Sequence, residues 1–149
     1  MSIEAVIPAG LDGRTALVTG GGSGIGEACA RTFAALGAKV TVADVNREAA
    51  ERVAAATGGT AWEVDLSDTS ALENLTLDTD ILVNNAGIQR INPIQDFDPE
   101  TFRLIHRLMV ESPFLLIRAA LPGMYERGFG RIINISSVHG LRASAFKSA

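Results

Sequence analysis

The chain predicts an α/β fold in which a parallel sheet is doubly wound, with helices on both of its faces. Three observations predict it. Short apolar runs alternate with stretches of helical periodicity, glycines follow the first two helical stretches, and a glycine-rich turn joins the first apolar run to the first helix. Consecutive parallel strands need a crossover connection, and helices that cross over a sheet cover its faces.

The first helix is predicted directly after the glycine-rich turn. Ile25, Cys29 and Phe33 recur at helical spacing, so we expect them on one apolar face of that helix. We expect the thiol of Cys29 to be buried and inert. Gly37 ends the helix, because glycine readily takes the left-handed conformation that follows a helix C-terminus.

The remaining elements follow from the same criteria. Gly58 and Gly59 punctuate the second helix, and Pro113 predicts a kink in a long last helix, because proline lacks the N–H that the helix needs. The predicted strands lie at 15–18, 39–43, 60–64, 80–84 and 131–136, and the predicted helices lie at 24–36, 47–56, 69–75 and 99–126.

Composition restricts the class of protein. The 149 residues are 47% hydrophobic, enough for one core, and we expect a tail at 1–10 and one domain at 11–149. A net charge of -4 disfavours a nucleic-acid partner. One cysteine and two histidines give no basis for a metal site or an internal disulfide. No apolar run has the length of a membrane span, no signal peptide is visible, and we expect a cytoplasmic protein.

The glycine-rich turn reads Thr-Gly-Gly-Gly-Ser-Gly-Ile-Gly over 19–26. A strand that turns into a helix presents unpaired N–H groups and a positive dipole end, and glycines let a pyrophosphate approach them. Asp44 ends the second predicted strand, at the position where an acidic residue binds the adenosine ribose in a Rossmann-type fold. Its charge repels a 2′-phosphate and favours NAD over NADP. The alternative is an ordinary aspartate that caps the helix near Arg47.

The spacing Thr-Gly-x-x-x-Gly-x-Gly resembles that of the short-chain dehydrogenase/reductase family. Three later motifs extend the resemblance: Asp65-Leu66, Asn84-Asn85-Ala86-Gly87 and the serine pair Ser136-Ser137, each after a predicted strand. The resemblance implies that Asp65 and Leu66 lie at the adenine and that Asn85 and Gly87 lie beside the ribose. For Asp65 alone, a helix cap is the alternative. The implied cofactor-binding residues are Gly20, Ser23, Gly24, Ile25, Gly26, Asp44, Asp65, Leu66, Asn85 and Gly87.

The same resemblance assigns the catalytic chemistry. It implies that Ser137 binds the substrate's reacting oxygen, while the family's Tyr-x-x-x-Lys transfers the proton; that motif would fall just beyond Ala149. Tyr125 lies on the long predicted helix, ahead of the serines, and cannot replace that acid. We therefore expect a family domain truncated after the fifth strand and no dehydrogenase activity from these 149 residues. In its complete form we expect a homo-oligomer, a tetramer.

A narrower constellation concerns the substrate. Gln89, His139 and Lys147, together with Ser137, resemble the branch of the family that oxidises the small hydroxy acid 3-hydroxybutyrate, where such residues bind the carboxylate. A small anion needs a cation and directional donors that converge on it. Singly, His139 and Lys147 would be ordinary surface residues. The resemblance also places Met109 where the family usually has an asparagine, and a thioether cannot replace an amide as a donor.

Three functions remain open on the sequence. The first is an NAD-dependent oxidation of a small hydroxy acid by the complete enzyme. The second is a reductase of 3-oxoacyl groups on a carrier protein, against which Asp44 argues. The third is a nucleotide-binding fragment without catalysis, which takes the chain as it stands.

Overall fold

The computed structural model describes residues 10–142 and 144–147. The expected tail at 1–10 lies outside the described residues except for Gly10. The elements are β1 (Thr15–Thr19), α1 (Gly24–Ala35), β2 (Lys39–Asp44), α2 (Arg47–Thr57), β3 (Thr60–Glu63), β4 (Ile81–Asn84), α3 (Pro99–His106), α4 (Ser112–Glu126) and β5 (Arg131–Asn134), with short 3₁₀ turns at Thr69–Leu72, Ile94–Asp96 and Val138–Gly140.

The strands form one parallel sheet in the order β3-β2-β1-β4-β5. This confirms the predicted Rossmann-type α/β fold. In β1, Val18 pairs with Val42 of β2 on one side and with Val83 of β4 on the other. The chain runs outward from β1 to β3 and then returns to the opposite side of β1. Ligands of such sheets bind where the order reverses, outside the carboxyl ends of the strands.

The core lies on both faces of the sheet, because successive residues of a strand point to opposite faces. On one face, Val18, Val42 and Val83 are fully buried and pack with residues of α1 and α2. On the other face, Leu17 and Leu82 pack with residues of α4. This two-sided burial explains why the strands of the sheet centre read as continuous apolar runs.

The first helix corrects one expectation. Cys29 and Phe33 are partly buried against the core, but Ile25 is 62% exposed and does not join them. The buried positions of α1 are Gly26 and Ala30. Ile25 sits at the first turn, beyond the end of the sheet, so its side chain has no strand to pack on.

The long last helix is interrupted where Pro113 predicts a kink. The chain remains helical from Pro99 to Glu126, but Arg107–Glu111 form a wider π-helical turn between α3 and α4. Such a turn absorbs a mismatch in the helical hydrogen bonds, and Pro113 stands in the first turn of α4. No helix within the described residues has the length and apolar character that crossing a membrane requires.

Candidate dinucleotide and substrate site

Contacts inside the glycine-rich turn leave no room for a side chain at Gly20 or Gly26. Gly20 has a φ of +60, in the left-handed region that favours glycine. A Cβ on Gly26 would stand 2.1 Å from the carbonyl oxygen of Gly20. Ser23 precedes α1 without a side-chain cap bond. The backbone of the turn is therefore open to a ligand at the positive end of α1.

The Thr19 hydroxyl fastens this turn to the neighbouring strand β4. It donates to the carbonyl of Val83 (3.1 Å) and accepts from the N–H groups of Asn85 (2.9 Å) and Ala86 (3.0 Å). The Asn85 amide returns a hydrogen bond to the Thr19 carbonyl at 2.9 Å. The two motifs at the ends of β1 and β4 are thus one hydrogen-bonded unit, which fixes the backbone on both sides of the switch point.

Asp44 lies at the end of β2 and faces the glycine-rich turn. Its carboxylate accepts from the N–H of Gly22 and from the N–H of Asn46, both at 2.9 Å. The cap of α2 is Asn46, whose side chain accepts from Ala49 N–H, so the alternative that Asp44 caps this helix is wrong. The carboxylate keeps lone pairs for a further donor, as binding of ribose hydroxyls requires.

Asp65 forms a local turn at the end of the third strand. Its carboxylate accepts from the hydroxyl (2.7 Å) and the N–H (2.9 Å) of Ser67. These hydrogen bonds lower the pKa of Asp65 and outweigh its partial burial. The 3₁₀ turn at Thr69–Leu72 begins after Asp68, so Asp65 does not cap it. Leu66 is 4% exposed, and most of its side chain belongs to the core.

A cleft of about 530 Å³ lies at the carboxyl ends of the strands. All the expected cofactor residues border it except Gly26, which packs against the carbonyl of Gly20. A glycine cradle that a Cβ would fill, a carboxylate on the ribose side and the positive end of a helix fit a dinucleotide. Direct contact of each residue with a cofactor stays a prediction.

The sequence missed several apolar residues of this cleft. Val45 is 67% exposed directly after Asp44, a position that adjacency to the acidic residue could have revealed. Leu104 and Leu108 reach the cleft from the long helix, and no motif or spacing in the sequence indicates this position. Val64, Ala86 and Ile88 complete this apolar lining. The cleft therefore offers apolar walls beside its polar turn.

The expected substrate residues after β5 come together. The Ser137 hydroxyl accepts from the N–H of His139 at 3.2 Å. The His139 ring binds Lys147 Nζ through Nε2 (3.0 Å) and Ser144 Oγ through Nδ1 (3.1 Å). An ammonium group only donates, so Nε2 accepts from Lys147 and Nδ1–H donates a hydrogen bond to Ser144 Oγ. Ser144 is a member that the sequence did not suggest.

Gln89 is not held by this cluster. Within the part of the chain that the structure describes, its side chain makes no hydrogen bond to Ser137, His139 or Lys147, and Gln89 itself is exposed. Its loop nevertheless reaches the cluster's segment, since the N–H of Asn92 donates to the carbonyl of Phe146 at 3.0 Å.

Met109 lies in the π-helical turn and faces the motif at the end of β4. A Cβ on Gly87 would lie 3.1 Å from its methyl group. Asn84, in the same motif, donates from its amide to the side-chain oxygen of Asn134 at 2.8 Å, which links β4 to β5. The side chain at the position of the family's asparagine thus packs beside Gly87, which borders the cleft. Residues 10–142 and 144–147 show no group of three or more metal-ligating side chains.

Fold and cleft together define a dinucleotide-binding α/β protein. Comparison with known proteins narrows this class. The model of the family described as short chain dehydrogenase matches residues 14–149, and the chain belongs to that family. This confirms the resemblance that the motifs indicated.

Individual relatives show how far the similarity extends. The chain is 42% identical to a D-beta-hydroxybutyrate dehydrogenase from Cupriavidus necator, over 93% of this chain and 58% of that protein. The solved structure of a proposed betaketoacyl-ACP reductase superposes with a TM-score of 0.88 at 38% identity and covers 93% of this chain and 60% of that one. The solved structure of a proposed NAD(P)-dependent gluconate 5-dehydrogenase from Beutenbergia cavernae, with NADP bound, superposes with a TM-score of 0.80 at 34% identity. This match covers 94% of this chain and 60% of that one. The chain thus spans about three fifths of these relatives.

Proposed function

We propose that the chain is the cofactor-binding part of an NAD-dependent dehydrogenase of a small hydroxy acid, with 3-hydroxybutyrate as the substrate. One observation carries the proposal: after β5, Lys147 Nζ lies 3.0 Å from Nε2 of the His139 ring, and the N–H of His139 donates to the hydroxyl of Ser137. Similarity to the D-beta-hydroxybutyrate dehydrogenase of Cupriavidus necator supports the same substrate class. The complete protein would oxidise the alcohol to acetoacetate.

Each residue of the cluster has a definite role in this proposal. The oxygen of Ser137 already accepts from a backbone N–H, so its proton can be donated to the reacting oxygen of the substrate. Lys147 uses one N–H on His139 and has others for the carboxylate of the acid. Gln89, on the loop that meets this segment, would add a directional donor. The nicotinamide, when bound, supplies the acceptor for the hydride.

The preference for NAD rests on Asp44. A carboxylate at the ribose hydroxyls repels a 2′-phosphate, and the arginine that follows does not cancel this charge. Arg47 donates to Glu51 at 2.8 Å and lies 3.9 Å from Glu63, and these two carboxylates raise its pKa. Its charge is therefore shared with acids of its own surroundings.

The cofactor assignment is tested by the variant Asp44→Ala. Loss of charge-assisted hydrogen bonds should weaken NAD binding by about 1.5–3 kcal/mol and reduce discrimination against NADP. Titration calorimetry with both dinucleotides measures this. Asp78→Ala removes an exposed carboxylate at the opposite end of the sheet, near the amino ends of the strands, and should change neither affinity. Unaltered binding of both cofactors in Asp44→Ala would refute the assignment.

A reductase of 3-oxoacyl-carrier-protein substrates is the second candidate, and the structural match to a proposed betaketoacyl-ACP reductase favours it. A form of the protein extended through the family's Tyr-x-x-x-Lys would be assayed with both substrate classes. Higher activity toward long acyl substrates than toward 3-hydroxybutyrate would favour this candidate.

Alone, residues 1–149 should bind NAD without turnover, because the residues that transfer the proton in the family are not among them and general acid–base catalysis contributes roughly 10²–10⁴-fold. Turnover above that of Ser137→Ala would contradict this.

A further inference from the structure

A guanidinium group lies against the outer side of the glycine-rich turn. Arg52, on α2, donates from Nη2 to the carbonyl of Gly22 at 2.7 Å. Its Nη1 and Nη2 also donate to the two carboxylate oxygens of Glu27, at 2.9 and 2.8 Å. Glu27 stands in the first turn of α1. This paired arrangement is the strong geometry for arginine with a carboxylate, and it is also the geometry for arginine with a phosphate.

The same residue of the turn touches both Arg52 and Asp44. Gly22 donates its N–H to Asp44 Oδ2 at 2.9 Å and presents its carbonyl to Arg52. A Cβ on Gly22 would meet the side chains of Asp44 and Ala49, both at 2.8 Å. The first half of α2 therefore packs directly on the turn. The guanidinium of Arg52 and the carboxylate that we assign to the ribose hydroxyls therefore both bind the backbone of Gly22.

The side chain of Arg52 is accessible to a further anion. Its side chain is 53% exposed, whereas that of Glu27 is 21% exposed. Glu27 also accepts from Arg31 Nε at 2.9 Å, so it is held from two sides. The two arginines lower the pKa of Glu27 to about 2, and the carboxylate stays charged at any pH at which a nucleotide would be bound. Arg52 is thus restrained by a partner that is itself fixed.

We propose that Glu27 is a positioning residue for cofactor selection, which holds Arg52 on the glycine-rich turn and so withholds its guanidinium from a 2′-phosphate. This inference rests on the proposed binding of a dinucleotide in the cleft. Asp44 selects NAD by repelling the phosphate, while Glu27 selects NAD by occupying a cation that would attract it. Release of Arg52 from Glu27 would free its guanidinium to bind the 2′-phosphate.

The test compares 5′-AMP with adenosine 2′,5′-bisphosphate (2′,5′-ADP), which differ only in the 2′-phosphate. Titration calorimetry on the full chain would use Asp44→Ser as background, so that direct repulsion is absent. Adding Glu27→Gln should raise the affinity for 2′,5′-ADP relative to 5′-AMP by about tenfold, the usual scale of a hydrogen bond to a charged group. Adding Arg52→Gln to that double variant should abolish the gain.

Two control variants separate this role from others. Glu100→Gln neutralises another exposed carboxylate paired with an arginine, Arg103 of α3, and should leave the ratio of affinities unchanged. Glu27→Asp keeps the charge and should keep the ratio of the background.

Several results would overturn the proposal. These are an unchanged ratio in Glu27→Gln, a gain that survives Arg52→Gln, or a parallel weakening of both probes, which would show a structural role only. If the unsubstituted chain bound neither NAD nor 5′-AMP, the proposed function itself would fail. If it bound 5′-AMP while Glu27→Gln gave no gain, only this inference would fail.

Discussion

The two ends of the site are built in different ways. At the nucleotide end, hydrogen bonds join residues that are 22 to 67 positions apart, Gly22 with Asp44 and Thr19 with Ala86. At the substrate end, the bonds of His139 join residues 2 to 8 positions apart. The residues that we propose for the nucleotide are therefore held by the sheet itself. Those that we propose for the substrate lie on a short segment whose contacts are mostly local, so they can change without disturbing the sheet.

Burial follows the same division. All four residues of β4 are buried, whereas all four of β5 are exposed. Ile132 and Ile133 are 36% and 40% exposed although they stand in the sheet. The segment that we propose for the substrate thus follows the least buried strand of the described residues.

The largest expected effect comes from Asp80, which precedes β4 and binds residues at the start of both β1 and β5. Its carboxylate is almost fully buried and accepts from Thr15 N–H and Arg127 Nε, both at 3.0 Å, and its carbonyl accepts from Arg131 N–H of β5. Removal of one member of such a pair costs about 3–5 kcal/mol. Asp80→Ala should lower the free energy of unfolding in urea by this amount.

Asp78→Ala is the matched control for Asp80→Ala. Asp78 binds the same arginine through Nη1 at 2.6 Å, but its side chain is 89% exposed. Exposed pairs contribute about 0–1 kcal/mol. Equal destabilisation by the two variants would show that burial does not govern this cluster.

The pH dependence of stability should carry the signature of Asp80. Burial alone would raise its pKa, but the hydrogen bond from Thr15 N–H and the charge of Arg127 together lower it below the ordinary value of 3.8. Since the folded state holds the charged form more strongly than the unfolded state, this stabilisation is present above that value and is lost as the pH falls through the lowered one. Urea titrations at falling pH should show a shallower loss in Asp80→Asn than in the unsubstituted chain. Parallel curves would contradict the assignment.

Gly26→Ala should separate the two ends of the site. The new Cβ would stand 2.1 Å from the Gly20 carbonyl, so the turn must shift, at a cost of about 1–3 kcal/mol, and NAD binding should be lost. Gly140→Ala is the control at the substrate end, because the nearest atom to its Cβ would be 4.0 Å away. Thermal unfolding and NAD titration measure both effects. Normal NAD binding by Gly26→Ala would be incompatible with the described turn.

Thr19→Val acts on the same end of the site, and we expect a cost of the same order. It removes the hydroxyl that serves Val83, Asn85 and Ala86 while keeping the shape of the side chain. Buried groups left without a partner cost about 1–3 kcal/mol. Thr19→Ser keeps the hydroxyl and should restore most of the stability. Equal unfolding midpoints for valine and serine variants would show that the hydrogen bonds contribute nothing.

The smallest effect on stability is expected from Lys147→Ala. Its partner His139 is exposed and local, and surface substitutions usually change stability by less than about 0.5 kcal/mol. NAD affinity should also be unchanged. In a form extended through the Tyr-x-x-x-Lys, the KM for 3-hydroxybutyrate should rise. A loss of NAD affinity in this variant would end the distinction between the two ends.

Patterns of adjacent residues made much of the nucleotide end predictable. The glycine spacing fixes a backbone shape, because Gly20 needs a positive φ and Gly26 needs a close approach. Asp44 and Asn85 were recognisable by their place at strand ends. Ile25 was misjudged because helical periodicity does not tell where the sheet ends. Leu104 and Leu108 were missed because only the packing of the long helix brings them to the cleft.

The sequence by itself determined the order of strands and helices, the glycine-rich turn and the family, since local backbone constraints and apolar periodicity are properties of neighbouring residues. Only the tertiary structure decided that Leu104 and Leu108 border the cleft, that Thr19 binds the backbone that follows β4, and that Arg52 is held by Glu27. These contacts join different elements, and their distances depend on how those elements pack. A linear pattern carries no measure of that distance.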